Sequence, residues 1–337
     1  MSTEAKLPAR LPLFLTDADV AQLSDLPSAI AAIRAAYSAP VDDRRNPGRI
    51  FADSTREWMR VMPSVPASGN LFGAKSINGS FADGLRVSYL ISLFDKHTAD
   101  LVALVDGNRV TGLRTAATTA VGTEVIAPKR PLKVGIIGSG FEAQSHTTAL
   151  SLVTRFASVA VFSPTQANRE SFAESFSQVL GVPVDAVDSA ESAVRGADLV
   201  LCAARSRDES PTLQADWVGE DATVVSIGST TPAQRELPAE LIARASLVVV
   251  DGVEEVLHGS GDMIAARAAG VDVESLTASL NDVLLGERTV DLERGIRIYK
   301  STGAGLQDIV VAEALVELAR LRGIGTELPV GIVTTRK

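Results

Sequence analysis

Residues 133–143 read Lys133-Val-Gly-Ile-Ile-Gly138-Ser-Gly140-Phe-Glu-Ala143. An apolar run closes on Gly138, and a helix-like stretch, Gln144–Leu152, follows. Gly138 permits a tight turn, Gly140 lets backbone approach a ligand, and the small Ala143 lets helix and strand pack closely. Val134–Ile137 has the composition of a buried strand, so the glycines sit between strand and helix. That context predicts a diphosphate resting on a helix N-terminus, where unpaired N–H groups point outward. The bare glycine spacing is weak evidence; the strand before it and the helix behind it carry the reading.

Outward from this loop, strand and helix signals alternate. Ser158–Ser163, Asp198–Ala203, Thr223–Gly228 and Leu247–Asp251 are short β-branched, apolar runs. Helical stretches such as Asn168–Leu180 and Ser189–Arg195 separate them. Buried strands divided by helices imply a parallel sheet covered on both faces. The expectation is an α/β chain: a Rossmann-type doubly wound parallel sheet plus a second, α+β domain.

The N-terminal third has another rhythm. Thr16 is placed to cap a helix with Asp17 and Asp19 in its first turn. Leu26–Tyr37 is Ala-rich and helical. Trp58–Val65, Phe72–Asn78, Val87–Asp95 and Leu101–Asp106 read as strands, divided at Ser68-Gly69-Asn70 and Ala82-Asp83-Gly84. Arg109–Ile126 reads as one long helix ended by Pro128. Gln307–Arg322 is helical again, with Leu306, Val310, Ala314 and Leu318 on one stripe. Its place after the nucleotide-binding segment suggests a return to the first domain. The expected division is residues 1–122 with 306–337 as a discontinuous substrate-binding and dimerisation domain, and residues 123–305 as the dinucleotide-binding domain, with the active site in the cleft between them.

Composition narrows the class. The 337 residues are 46% hydrophobic and 22% charged, with a formal net charge of −9. That balance is globular and argues against nucleic acid or an anionic membrane surface as partner. No apolar run reaches spanning length, and the first six residues carry no signal-peptide core. The one cysteine, Cys202, lies in an apolar run and reads as a buried strand residue. A cytoplasmic enzyme is the expectation.

Three cations in the first third invite a chemical reading. Lys75 interrupts an apolar strand beside Gly73 and Ala74. A desolvated lysine has a lowered pKa and exchanges protons near neutrality; an edge-strand lysine in water is the other reading, and the residue alone leaves both open. Arg114 lies near the start of an Ala-rich helix, where a guanidinium grips a carboxylate bidentately or faces solvent as a surface arginine. Arg49 follows a Pro-Gly turn and is undecided on its own. His97 reads as a solvated turn residue, and His146 as packed or exposed on the helix after the loop. The three histidines show no ligand spacing for a metal. Asp251, Glu254, Glu255, His258 and Asp262 read as a charged, solvated face.

The order of motifs resembles that of the ornithine cyclodeaminase/mu-crystallin family. They are Gly73-Ala-Lys75, Leu93-Phe-Asp95, Asp106-Gly-Asn108, Thr111-Gly-Leu-Arg114-Thr-Ala-Ala117, Gly138-Ser-Gly140-Phe-Glu-Ala143, Ile227-Gly228 with Pro232, Arg235-Glu-Leu237, Tyr299-Lys-Ser301-Thr-Gly303 and Gln307-Asp308. The resemblance runs from about Leu11 to Arg322. It implies a homodimer that joins a Rossmann domain to a domain whose small β-sheet forms the dimer interface, acting on amino acids or cyclic imines with NAD(P). Carried over, Lys75 is the catalytic lysine, and Arg49 and Arg114 form a carboxylate clamp with it. Gly138, Gly140 and Ala143 form the diphosphate loop, and Ser301 and Gly303 lie beside the nicotinamide.

One departure matters. Cyclodeaminases of this family carry an aspartate at the position of Thr230, before Pro232. A hydroxyl does not serve as a general base near neutral pH or pair with an ammonium. The expectation is therefore an NAD(P)H-dependent imine reductase or amino-acid dehydrogenase for a small 2-imino/2-amino acid, with Thr230 among the substrate contacts. Thr231, Asn78, Phe81 and Met62 are further candidates for the substrate pocket. Two alternatives stand beside it: a cyclodeaminase whose base is Glu255 or Asp262, and a mu-crystallin-like protein that holds NADPH and a carboxylate ligand. The strand ending at Ser163 is followed by Pro164-Thr165-Gln166 and no carboxylate. Ser163, Thr165 and Arg169 then favour NADP(H), with NAD(H) as the alternative.

Overall fold

The computed structural model describes residues 11–42, 44–204, 210–329, 331–332 and 334–335. The first six residues, read above for a signal segment, lie outside the described residues. The chain divides into two compact units. The first comprises Met1–Thr115 with Ala304–Lys337, and the second Ala116–Gly303.

The strands, in chain order, are β1 (Leu13–Leu15), β2 (Ile50–Asp53), β3 (Glu57–Ser64), β4 (Leu71–Ser80), β5 (Arg86–Asp95) and β6 (Leu101–Asp106) in the first unit. The second unit adds β7 (Leu132–Ile137), β8 (Phe156–Phe162), β9 (Val184–Ala186), β10 (Leu199–Cys202), β11 (Thr223–Ser226), β12 (Ala245–Val250), β13 (Thr277–Ser279) and β14 (Ile296–Lys300). A last short strand, β15 (Thr326–Glu327), belongs to the first unit again.

The first unit is built on one seven-stranded sheet of order β15-β1-β6-β5-β4-β3-β2. All its ladders are antiparallel except β1 with β6. Two of its helices start where a side chain satisfies free N–H groups. Thr16 and Asp19 form a reciprocal capping box on Asp17–Leu23, and Asp25 accepts from Ser28 N at the head of Leu26–Tyr37. β4 has a partner on each side, so its residues are interior: Lys75 stands opposite Met62 of β3 and Ile91 of β5.

The helix Gly305–Arg322 closes this unit. The single apolar stripe expected for it understates its burial. Leu306 and Val310 are buried, but so are Ile309, Val311, Ala312, Leu315, Val316 and Ala319, whereas Ala314 and Leu318 are only half-buried. The helix is covered on more than one side, and its first turn runs against β3. A Cβ at Gly305 would stand 2.7 Å from Met62 O, which explains the glycine at that start.

The second unit holds an all-parallel, eight-stranded sheet of order β13-β12-β14-β11-β10-β7-β8-β9. The run β9-β8-β7-β10-β11 follows the 3-2-1-4-5 order of a Rossmann sheet, and β14, which comes after β12 and β13 in the chain, takes the sixth place. β10 and β11 are buried residue by residue, as expected for strands with helices over both faces. Each such Val, Ile or Leu contributes about 1.5–3 kcal/mol by leaving water. Cys202 is one of these buried residues. No described helix is long and apolar enough to cross a membrane.

Candidate active site

In the first unit Lys75 and Arg114 converge on Asp308, which the Gln307-Asp308 motif contains but to which the sequence reading gave no role. The Lys75 side chain is 0% exposed. Its Nζ donates to Asp308 Oδ1 at 2.8 Å and to Thr111 Oγ1 at 3.4 Å. Arg114, also buried, donates from Nε to the same Oδ1 at 3.0 Å and from Nη1 to Gln307 Oε1 at 2.7 Å. Gln307 donates in turn to the Tyr37 hydroxyl at 3.0 Å, which fixes its amide. The edge-strand reading of Lys75 and the surface reading of Arg114 are thereby removed.

Burial pushes the Lys75 ammonium down to about 8 from 10.5. Asp308 opposes that shift, while the like charges of Arg114 and Arg49 add to it. Arg49 itself is half-buried. Lys75 and Arg114 share the one Asp308 carboxylate, and Arg49 is near enough to act on Lys75 as a further like charge, so cations outnumber the carboxylate they share. In a desolvated site such an excess favours an incoming anion strongly.

The second unit holds the glycine loop. Gly138 has φ +116°, and a Cβ there would lie 2.6 Å from Ala203 O, so only glycine makes the turn. Gly140 is the N-cap of the helix Phe141–Ser151, and no side chain caps that helix. A Cβ at Gly140 would meet no atom within 4 Å. Ala143 is fully buried. A helix N-terminus without a side-chain cap, facing open space, fits a dinucleotide diphosphate.

Beside the loop, Ser139 Oγ donates to Ser163 Oγ at 2.8 Å, and Thr165 is exposed at the start of the helix Gln166–Leu180. Arg169 folds back onto the end of β8. It donates to Ser163 O at 3.2 Å and pairs with Asp188 at 2.7 Å. Ser301 and Gly303 are pinned by Asp251, which accepts from Ser301 Oγ (2.7 Å), Thr302 N (3.2 Å) and Gly303 N (2.8 Å). Thr230 is half-buried, and both its N–H and its Oγ1 donate to Gln234 Oε1.

The expected solvated face at residues 251–262 is corrected in part. Glu254 and His258 are exposed, but Asp251 and Asp262 are buried carboxylates engaged by backbone N–H groups. Their sequence neighbours concealed this, because burial here comes from the strand ends they face. His97 is exposed in its turn, and His146 is buried beside Glu142 at 3.2 Å. Asp308 and Gln307 were quoted within a family motif but given no role by the sequence reading, as were Glu236 and Lys300, which lie fully buried in the second unit. Lys300 gave little signal of its own, since β14 reads Ile-Arg-Ile-Tyr-Lys and already carries a charge at Arg297.

The family model for the ornithine cyclodeaminase/mu-crystallin family matches residues 11–322. The chain belongs to this family. The ketimine reductase mu-crystallin of Mus musculus is 31% identical over 264 residues, covering 77% of this chain and 79% of its own length. The iminosuccinate reductase of Paracoccus denitrificans is 31% identical over 240 residues, covering 71% and 73%. Among solved structures, the Δ1-pyrroline-2-carboxylate reductase of Thermococcus litoralis, in complex with NADH and L-proline, superposes with a TM-score of 0.83 at 27% identity, covering 94% of this chain and all of that one. Within the ornithine cyclodeaminase/mu-crystallin family these named relatives reduce C=N bonds, and the Thr230 position here lacks the aspartate that the cyclodeaminase pattern has.

Proposed function

We propose that the protein is an NAD(P)H-dependent reductase of a small 2-imino acid, which in reverse oxidises the corresponding 2-amino acid. The observation that carries this is the buried Lys75–Asp308–Arg114 cluster with its surplus of positive charge. Arg114 and Arg49 hold the substrate carboxylate. That anion offsets the surplus and fixes the C=N group for attack. Reduced nicotinamide supplies the hydride that ends on the imine carbon. Lys75, with a pKa near 8, gives its proton to the imine nitrogen and recovers one from solvent. Asp308 keeps Lys75 and Arg114 in register. Thr230 contacts the substrate through its hydroxyl and removes no proton. Asp262, one alternative base for a cyclisation, is committed to Lys300 and to two backbone N–H groups, which favours reduction over ammonia elimination.

Gly138, Gly140 and Ala143 cradle the diphosphate, and Ser301 and Gly303 border the nicotinamide. At the ribose, Ser163, Thr165 and Arg169 favour NADPH over NADH. Arg169 already stands at the strand end, and its partner Asp188 has a side chain 97% exposed, so a 2′-phosphate displaces that partner at little expense. We further read the protein as a cytoplasmic homodimer. Phe51 on the edge strand β2, with Ile50, Met59 and Leu90 exposed on the same sheet, supports a dimer contact there.

The test is nicotinamide absorbance with NADPH or NADH and two panels: cyclic 2-imino acids, and 2-keto acids with ammonia or amines. Consumption of reduced nicotinamide with a carboxylate-bearing imine supports the reading. Cofactor and ligand affinity without consumption would replace it with a binding function.

A further inference from the structure

The second unit buries another ionic cluster, which takes no part in the proposed reaction. Lys300 ends β14, Ser226 ends β11, Asp262 lies in the helix Gly261–Ala268, and Glu236 lies between β11 and β12. None of the four side chains is more than 1% exposed. Lys300 Nζ lies 3.2 Å from Asp262 Oδ2 and donates to Ser226 Oγ at 2.8 Å. Ser226 Oγ donates onward to Glu236 Oε2 at 2.6 Å, and Lys300 Nζ is 4.0 Å from that oxygen. A buried charge cluster is a poor way to gain stability, since apolar side chains of similar volume serve as well or better.

What the cluster does hold is a loop. Gly228 N donates to Glu236 Oε2 at 2.8 Å. Glu236 N and Leu237 N donate to Asp262 Oδ1 at 2.8 and 3.2 Å. Both ends of the segment 228–236 are thus tied to the two carboxyl groups. Inside it, Ser229 Oγ donates to Gln234 O at 2.6 Å and accepts from Asp262 N at 3.3 Å, and Gly261 N donates to Thr231 O at 3.1 Å. Gly228 is itself part of the fit: a Cβ there would stand 2.3 Å from Glu236 Oε1. Thr230 sits in the middle of the loop.

We propose that Glu236 is a positioning residue, which with Asp262 and Lys300 fixes the Gly228–Gln234 loop and so sets the direction in which Thr230 meets the substrate. This rests on the reading that Thr230 contacts the substrate. Burial lifts the Glu236 carboxyl to about 7, Lys300 pulls it down and Asp262 pushes it up. Cys202 also faces the pair, its thiol raised by burial and by both acids. Glu236 therefore gains or loses its proton near neutrality, at a place solvent does not reach.

Two variants test this from opposite sides of one contact. Glu236→Ala removes the acceptor of Gly228 N, whereas Gly228→Ala pushes the carboxyl away and leaves every charge in place. Glu236→Gln keeps an acceptor and serves as the rescue. In amide hydrogen exchange on the full-length protein, Gly228 to Thr231 exchange at least tenfold faster in both alanine variants and near the wild-type rate in Glu236→Gln. With an imine substrate, the alanine variants raise substrate KM about tenfold and leave cofactor KM unchanged. Glu236→Ala combined with Thr230→Ala loses no more than the larger single loss. Unchanged exchange in a folded alanine variant overturns the proposal, as does strict additivity with Thr230→Ala. If no imine is consumed, the reductase reading fails while the exchange result still decides whether Glu236 holds the loop. Should Glu236→Ala not fold, Gly228→Ala and Glu236→Gln carry both measurements.

Discussion

The two buried ionic clusters use the same parts in opposite proportion. In the first unit a strand lysine, Lys75, shares one carboxylate with Arg114. In the second, a strand lysine, Lys300, is shared by two acids, Asp262 and Glu236. Burial is the main cause of both shifts, lowering the Lys75 pKa and raising that of Glu236; the opposite charge beside each, Asp308 or Lys300, resists the shift, and the like charges, Arg114 with Arg49 or Asp262, add to it. An anion from outside relieves the first cluster, and a proton relieves the second. Burial of charge alone therefore does not mark a catalytic group. In the roles proposed above, the sign of the residual charge distinguishes the cluster that receives a ligand from the one that braces a loop.

The comparison breaks most sharply at Lys75. Lys75→Ala should lower kcat by about 10²–10⁴-fold with cofactor Kd nearly unchanged, as read by steady-state kinetics and fluorescence titration; full turnover would remove its proton role. Arg114→Ala deletes a charge-assisted carboxylate contact worth about 1.5–3 kcal/mol, so substrate KM should rise roughly 10–100-fold. It also removes a like charge near Lys75, so the Lys75 pKa should climb, visible as an alkaline shift of the rate profile.

The pH dependence has a fixed sign. Lys75 is a proton donor in reduction, so reductive kcat/KM should fall as pH rises through about 8. In the oxidative direction the neutral amine is the acceptor, so that rate should rise through the same value. For stability, a lysine pKa depressed in the folded state is a penalty fully present below about 8 and relieved toward its ordinary 10.5. Glu236 behaves oppositely. Its raised pKa contributes stability that is complete below 4.5 and lost as pH rises through about 7. Urea unfolding of Glu236→Gln should show a flatter slope across that window than the wild type. The smallest effect concerns the cofactor: Arg169→Ala should raise KM for NADPH several-fold and leave NADH nearly unchanged, and equal effects on both would remove Arg169 from phosphate recognition.

Much of the scaffold was legible in local sequence. The glycine loop could be read because the strand before it and the helix after it are both short-range features. Thr16 with Asp19 marked a helix start for the same reason. The family motifs extended that reading across both units. Lys75 stayed undecided because edge and interior strands look alike in sequence; only pairing with β3 and β5 makes β4 interior. Asp308 lies 233 residues from Lys75, and no spacing rule joins them. Asp251 and Asp262 were hidden among exposed acids, since their burial depends on Ser301, Gly303 and Lys300 arriving from β14 and the turn after it. The short strands β1, β2, β9, β13 and β15 are too brief to show a period.

If a cation-rich, desolvated pocket receives an acid group beside the bond being reduced, removing that acid group must slow the reaction. Single-turnover nicotinamide oxidation with saturating cofactor, using a cyclic 2-imino acid and the same cyclic imine without its carboxylate, measures this. Rapid oxidation is expected with the acid, and a loss of about a hundredfold or more without it. Equal rates for the two imines, or no oxidation with either, would contradict it.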